Sequence, residues 1–248
     1  MDSVIIYSSG IDSYLLRKYL TITHPTEKFK CVYYDIKCRY SKEEIDMLKI
    51  QQEKEKFDLV IDDTFNFGNI ERDDAFIPNR NLHLTMHATK YGDKIYIGGT
   101  ASDRISDNNE KIFQDFSKII SESLDKRIII TSPFWNIYKS QIAEWYATGY
   151  IKKTELSGST FSCYSPKIKK SWCALEIDKE VINSETNECL FCKACFRKNV
   201  VLNAIGVFRQ FYNKEIIESY LKECSNSIFQ NYRQIKTLDY ICHLDKKK

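Results

Sequence analysis

No apolar run in this 248-residue chain approaches the roughly 20 residues needed to cross a bilayer, so the sequence predicts no membrane span. The opening Met1-Asp2 carries no basic region, no long apolar stretch and no small-residue cleavage site, which predicts a protein that is not exported and works in the cytoplasm. Charge of one sign is also scarce: 37 Lys and Arg against 34 Asp and Glu leave a formal +3, too little to demand a nucleic-acid partner. Lys246-Lys247-Lys248 reads as a solvated tail, and apart from it there is no low-complexity tract and no internal repeat. The length allows one substantial domain, or one domain with a smaller appendage, and a buried core in either.

Cysteine is not scarce. Nine cysteines without an export signal point to reduced thiols and metal binding rather than to a disulfide framework. Cys189-Leu190-Phe191-Cys192-Lys193-Ala194-Cys195 sets three of them at a strict three-residue spacing, with Lys193, Arg197 and Lys198 nearby to favour thiolates. A closed structural zinc site needs a fourth ligand, for which Cys163 and Cys173 are the candidates. The same run also resembles part of an iron–sulfur pattern, so zinc and iron–sulfur both stay open on spacing alone. Cys31, Cys38, Cys224 and Cys242 are isolated and receive no role, and His83 and His87 lack the Glu that a zinc-protease helix would place after the first histidine.

Through residue 150 strand-like and helix-like patterns alternate, as in a doubly wound, mostly parallel α/β sheet. Five strands are expected, at Val4 to Tyr7, Lys30 to Tyr34, Leu59 to Asp62, Ile95 to Ile97 and Ile128 to Thr131. Ser41-Lys42-Glu43-Glu44 fits a capping box, and Asn81 is expected to cap a helix carrying Leu82, Met86 and His87. After Gly149 the character changes: residues 151–188 have weak periodicity, and helical spacing returns in Ile205, Phe208, Phe211 and Tyr212 and again in Ile216, Ile217, Tyr220 and Leu221. The expected division is therefore a domain over 1–150 and a helical, metal-binding segment over 151–248.

The most informative stretch is the first. Val4-Ile5-Ile6-Tyr7 leads directly into Ser8-Ser9-Gly10-Ile11-Asp12-Ser13 and then into a helical run. A strand, a turn rich in Ser and Gly and a helix start gather backbone N–H groups, hydroxyls and the positive end of a helix dipole, which suits a phosphate.

Ser-x-Gly-x-Asp-Ser after a first strand resembles the signature of ATP pyrophosphatases of the PP-loop type, and further segments resemble one family among them, the 7-cyano-7-deazaguanine synthases. Those segments are Tyr34-Asp35-Ile36-Lys37-Cys38-Arg39-Tyr40 after strand two, Ile77-Pro78-Asn79-Arg80-Asn81, Ile97-Gly98-Gly99 with Asp103 after strand four, and Thr160-Phe161-Ser162-Cys163-Tyr164 with the later cysteines. They run in the family's order from position 4 to about 200. Two departures stand out: Ser9 replaces the family's usual Gly, and Asp103-Arg104-Ile105-Ser106-Asp107-Asn108-Asn109-Glu110 replaces a Tyr-Pro-Asp-Cys stretch that lies near the base-like substrate.

The resemblance implies a PP-loop, adenine-nucleotide-hydrolase-like sheet with a C-terminal helical zinc segment. It also implies a ligase that adenylates 7-carboxy-7-deazaguanine, takes up ammonia to give the amide, and activates the amide again to give the nitrile. ATP would sit on Tyr7 to Ser13 beside Asp35, with Asp12, Ser13 and Lys139 acting on the phosphates and Mg²⁺ relieving the repulsion between Asp12 and the anion. Arg80, Asn81 and Asp103 would bind the substrate, and Zn²⁺ would sit on Cys163, Cys189, Cys192 and Cys195, Cys163 being favoured over Cys173 because its surrounding pattern is kept. Ammonia would arrive free or from a partner, since no glutaminase module is recognisable, and the family suggests a homodimer. Alternatives are an enzyme that activates another carboxylate or stops at the amide, a tRNA-thiolating PP-loop enzyme, and a zinc-stabilised nucleic-acid binding module. The modest charge and scattered aromatics weigh against the last.

Overall fold

Strands and helices alternate through the first half of the chain in the computed structural model, which describes residues 2–103, 108–150, 152–166, 188–227 and 230–247. The order is β1 (Ser3–Ile6), α1 (Ile11–Thr23), β2 (Phe29–Tyr34), α2 (Ser41–Glu55), β3 (Leu59–Asp62), α3 (Arg80–Ala88), β4 (Lys94–Tyr96), α4 (Glu110–Leu124) and β5 (Ile129–Thr131). The strands form one sheet in the order β3-β2-β1-β4-β5, and every pairing is parallel. Ile5 at the centre faces Cys31 of β2 on one side and Tyr96 of β4 on the other. Val4 and Ile5 are wholly buried, as expected where helices cover both faces of a parallel sheet.

The order reverses at β1: the chain moves outward through β2 and β3, then crosses to β4 and β5. With right-handed crossovers, that reversal puts α1 and α2 on one face and α3 and α4 on the other, and it opens a crevice at the carboxyl ends of β1 and β4.

Contacts along the chain define two compact units, residues 1–137 and 138–248. The second comprises α5 (Lys139–Ala147), α6 (Lys153–Gly158), α7 (Lys193–Ala204), α8 (Lys214–Ser225) and α9 (Tyr232–Lys246). Helix α5 thus groups with the later part, although the change in sequence character comes after Gly149. The centre of this unit is Phe196, stacked on Tyr220 with ring centroids 4.5 Å apart and meeting Phe211 and Tyr240 edge-on. Tyr240 donates to the Arg209 carbonyl at 2.7 Å and accepts from Asn199 at 3.0 Å, so its buried hydroxyl is satisfied.

Three local expectations are corrected. Residues 41–44 form no capping box: Tyr40 is the N-cap of α2, the Ser41 hydroxyl accepts the Cys38 N–H at 3.0 Å, and the Glu44 carboxylate turns inward to the Tyr33 hydroxyl at 2.9 Å. Asn81 does not cap α3, because Asn79 takes a left-handed conformation (φ 52°) and the helix begins at Arg80. Residues 205–212 are not helical. Gly206 at φ 82° ends α7, with the Val207 N–H returning to the Leu202 carbonyl at 2.9 Å, a C-cap that only glycine adopts without strain. No helix among the described residues is long and apolar enough to cross a membrane.

Candidate active site and metal centre

The turn after β1 is held by its own hydroxyls. Ser13 donates through Oγ to the Ser8 carbonyl at 2.6 Å and accepts the Ser8 N–H at 3.1 Å, while the Gly10 N–H donates to Ser8 Oγ at 3.2 Å. Gly10 is the N-cap of α1 and offers no side chain, so the first turn of α1 presents its N–H groups and its dipole at the mouth of the crevice. Ser9 is fully buried; its carbonyl takes Gln51 Nε2 at 3.3 Å, and its hydroxyl has no hydrogen-bond partner. A buried hydroxyl in that state costs free energy until something meets it, which fits a phosphate oxygen arriving at this turn. Tyr7, in contrast, directs its side chain into the core, donating to Gln51 Oε1 at 2.7 Å and accepting from Arg17, so only its backbone borders the turn.

The loop after β4 closes the other side of the crevice. A Cβ on Gly98 would lie 3.2 Å from the Cβ of Asp12, in the first turn of α1. Asp103, farther along, organises its own loop: Oδ2 accepts the Thr100 N–H at 2.8 Å and Asn108 Nδ2 at 3.1 Å.

After β2, the Asp35 N–H continues the ladder to the Asp62 carbonyl, and the Asp35 carboxylate bonds Lys37 through both its ammonium (2.6 Å) and its amide (3.2 Å). Burial alone would raise the pKa of Asp35, but these bonds and the lysine charge hold it below the usual carboxylate value. Arg39 ties this loop to residues 71–73 through Glu71 and the Arg72 and Asp73 carbonyls. Arg80, at the start of α3, donates to the Tyr40 hydroxyl at 3.3 Å. Beside it lies Glu44, a residue the sequence reading treated only as a cap. Burial pushes its pKa up to about 7, against the opposing pull of the Tyr33 hydroxyl and the Arg80 charge. Lys139 is the first residue of α5 in the second unit.

In the second unit, Cys163, Cys189, Cys192 and Cys195 bring their Sγ atoms within 4.8 Å of one another. Cys173 lies outside the described residues. Backbone amides point at the sulfurs: Ser165 and Cys189 donate to Cys163 Sγ at 3.3 Å, Phe191 to Cys189 Sγ at 3.4 Å and Cys195 to Cys192 Sγ at 3.5 Å. Leu190, at φ 54°, makes the turn that lets the Phe191 amide face back. Cys192 is the N-cap of α7. Its pKa is driven down, first by its hydrogen bond with Cys163 and then by those with its other two neighbours, while Cys163 and Cys195 are driven up. Four thiols in contact cannot all ionise without a cation among them. Thiolate acceptors, amide donors and a separation that suits one tetrahedral ion make this donor set fit zinc.

The sequence reading set Lys198 near these thiols as a charge favouring thiolates, but it missed the buried ion triad that Lys198 forms with Glu188 and Arg209. A lysine in a basic helical stretch gives no sign that it is buried.

A model of the family described as queuosine biosynthesis protein QueC matches residues 2–206. No curated protein matches the chain.

Proposed function

We propose roles for these residues from one premise: the chain belongs to the QueC family, the 7-cyano-7-deazaguanine synthases. It is an ATP-dependent ligase that converts 7-carboxy-7-deazaguanine to 7-cyano-7-deazaguanine. The observation that carries the assignment of roles is the hydroxyl-closed turn at the β1/β4 crevice, with its unmet Ser9 hydroxyl.

A carboxylate is a poor electrophile until its oxygen becomes a leaving group. The Ser8 to Ser13 turn holds the β- and γ-phosphates while the substrate carboxylate attacks the α-phosphorus in line, so most of the catalytic work is positioning and charge stabilisation. Asp35 flanks the adenosine at the end of β2. Arg80 pairs with the substrate carboxylate, and Asn81 and Asp103 complete its site. Asp12 would hold Mg²⁺, which would supply positive charge to offset that of the phosphates. Zn²⁺ on the four cysteines is structural, since four thiolates leave no open coordination position. Ammonia is the nitrogen donor, and the enzyme works in the cytoplasm as a homodimer.

Incubation of the purified protein with 7-carboxy-7-deazaguanine, ammonia and Mg-ATP should give AMP, pyrophosphate and nitrile by mass spectrometry. Ser13→Ala should raise the ATP KM about tenfold, equivalent to the loss of about 1.4 kcal/mol of binding. An unchanged KM would remove the turn from the phosphate site.

A further inference from the structure

One carboxylate stands at the junction of all the segments that deliver the cysteines. Glu188 precedes Cys189 directly, and its Oε1 accepts the N–H of Ser162, the residue before Cys163, at 2.7 Å. Both its oxygens accept Lys198 Nζ at 3.0 Å, and Lys198 lies one turn beyond Cys195 on α7. Arg209 Nη1 closes the set at 2.7 Å from Oε2. Lys198 also donates to the Thr160 carbonyl at 2.5 Å, anchoring the chain ahead of Cys163. The side chains of Glu188 and Lys198 are 0% exposed and that of Arg209 is 6% exposed.

Such a cluster is a costly way to gain stability, because ions lose their hydration on burial and apolar side chains of the same volume commonly serve as well. Its charge suggests another use. Four thiolates around one divalent ion carry a net 2−, and two cations with one carboxylate place a net 1+ beside them. Groups just outside a metal's ligands orient those ligands and tune affinity, commonly by about 10–100-fold.

We propose that Glu188, Lys198 and Arg209 are positioning residues of the metal centre: the triad docks the Cys163 segment onto the Cys189–Cys195 loop and offsets the thiolate charge, and so sets how tightly the metal is held. This rests on the reading of the four cysteines as a zinc site.

The test uses the full-length, zinc-loaded protein and follows transfer of zinc to a chromogenic chelator, well below the melting temperature. Glu188→Gln keeps the shape but removes the charge, and should release zinc about 10–100-fold faster. Arg209→Met, at the edge of the triad, should accelerate release several-fold, and Arg209→Lys should restore most of the wild-type rate. If Glu188→Gln does not fold, the Arg209 pair decides the question. Leu244→Ala, in the α9 core of the same unit, is the comparator for general destabilisation. Cobalt-substituted protein adds a spectroscopic readout, with the thiolate–cobalt bands shifting in the triad variants but not in Leu244→Ala. Release rates and spectra matching Leu244→Ala at equal loss of melting temperature would overturn the positioning role. Wild-type protein that holds no metal would instead defeat the zinc reading, and the triad proposal with it.

Discussion

At the scale of single residues, Glu44 combines half-burial, a hydrogen bond from Tyr33 and proximity to the Arg80 charge. Its pKa of about 7 in the folded chain lies above the ordinary 4.5, so the native state binds this proton more tightly than the unfolded chain does. The stabilisation is complete below about pH 4.5 and is lost as pH rises through 7. Relative to Glu44→Gln, the wild type should lose roughly 2–3 kcal/mol across that window, read from urea midpoints at successive pH values. Parallel curves for the two proteins would mean that Glu44 titrates as an ordinary surface carboxylate. The thiols illustrate the same dependence on surroundings, since their mutual hydrogen bonds lower the pKa of Cys192 and raise that of Cys195.

At the scale of elements, the adjacent glycines after β4 have different duties. A Cβ on Gly99 would lie 2.1 Å from the Trp135 ring, which is itself stacked on Phe113, whereas one on Gly98 would only press on Asp12 at 3.2 Å. Gly99→Ala should therefore lower stability by about 1–3 kcal/mol in denaturant titrations, as overpacking does. Gly98→Ala should leave stability nearly unchanged and raise the ATP KM; the reverse pattern would dissociate the β4 loop from the nucleotide. The strands were legible in the sequence to within a residue at each end, because a parallel sheet covered on both faces demands near-continuous apolar runs such as Val4-Ile5-Ile6. Helix ends were less legible. The Ser41 hydroxyl satisfies the turn before it rather than the helix it begins, and Gly206 interrupts an apolar spacing that otherwise reads as helix through Tyr212. Three of the clustered thiols announce themselves by spacing. Cys163 joins them across a long interval that spacing does not encode, and only the family-like pattern of Thr160 to Tyr164 marks it out, while Glu188 and Arg209 look like surface charges until the fold encloses them with Lys198.

At the scale of the whole molecule, the units at residues 1–137 and 138–248 are organised by different means, a continuous sheet in the first and a thiol cluster joined to an aromatic core in the second. Removing metal with a strong chelator should lower the melting temperature and reduce the near-ultraviolet circular dichroism of the Phe196–Tyr220–Tyr240 core. A melting curve unchanged after verified metal loss would mean that the second unit holds without it. The sheet order carries a consequence for how the protein is made. Of the five strands β1 is synthesised first, yet it lies at the centre of the sheet, and one of its two partners, β4, is synthesised only after α1, β2, α2, β3 and α3. Until Lys94–Tyr96 emerges, one flank of Ser3–Ile6 has no strand to bond, and the nascent chain must hold a strand that ends up buried at the sheet's centre half-paired. Long-range parallel pairing of this kind is slow to form. The translating ribosome therefore carries an aggregation-prone edge for most of the time it takes to build the first unit.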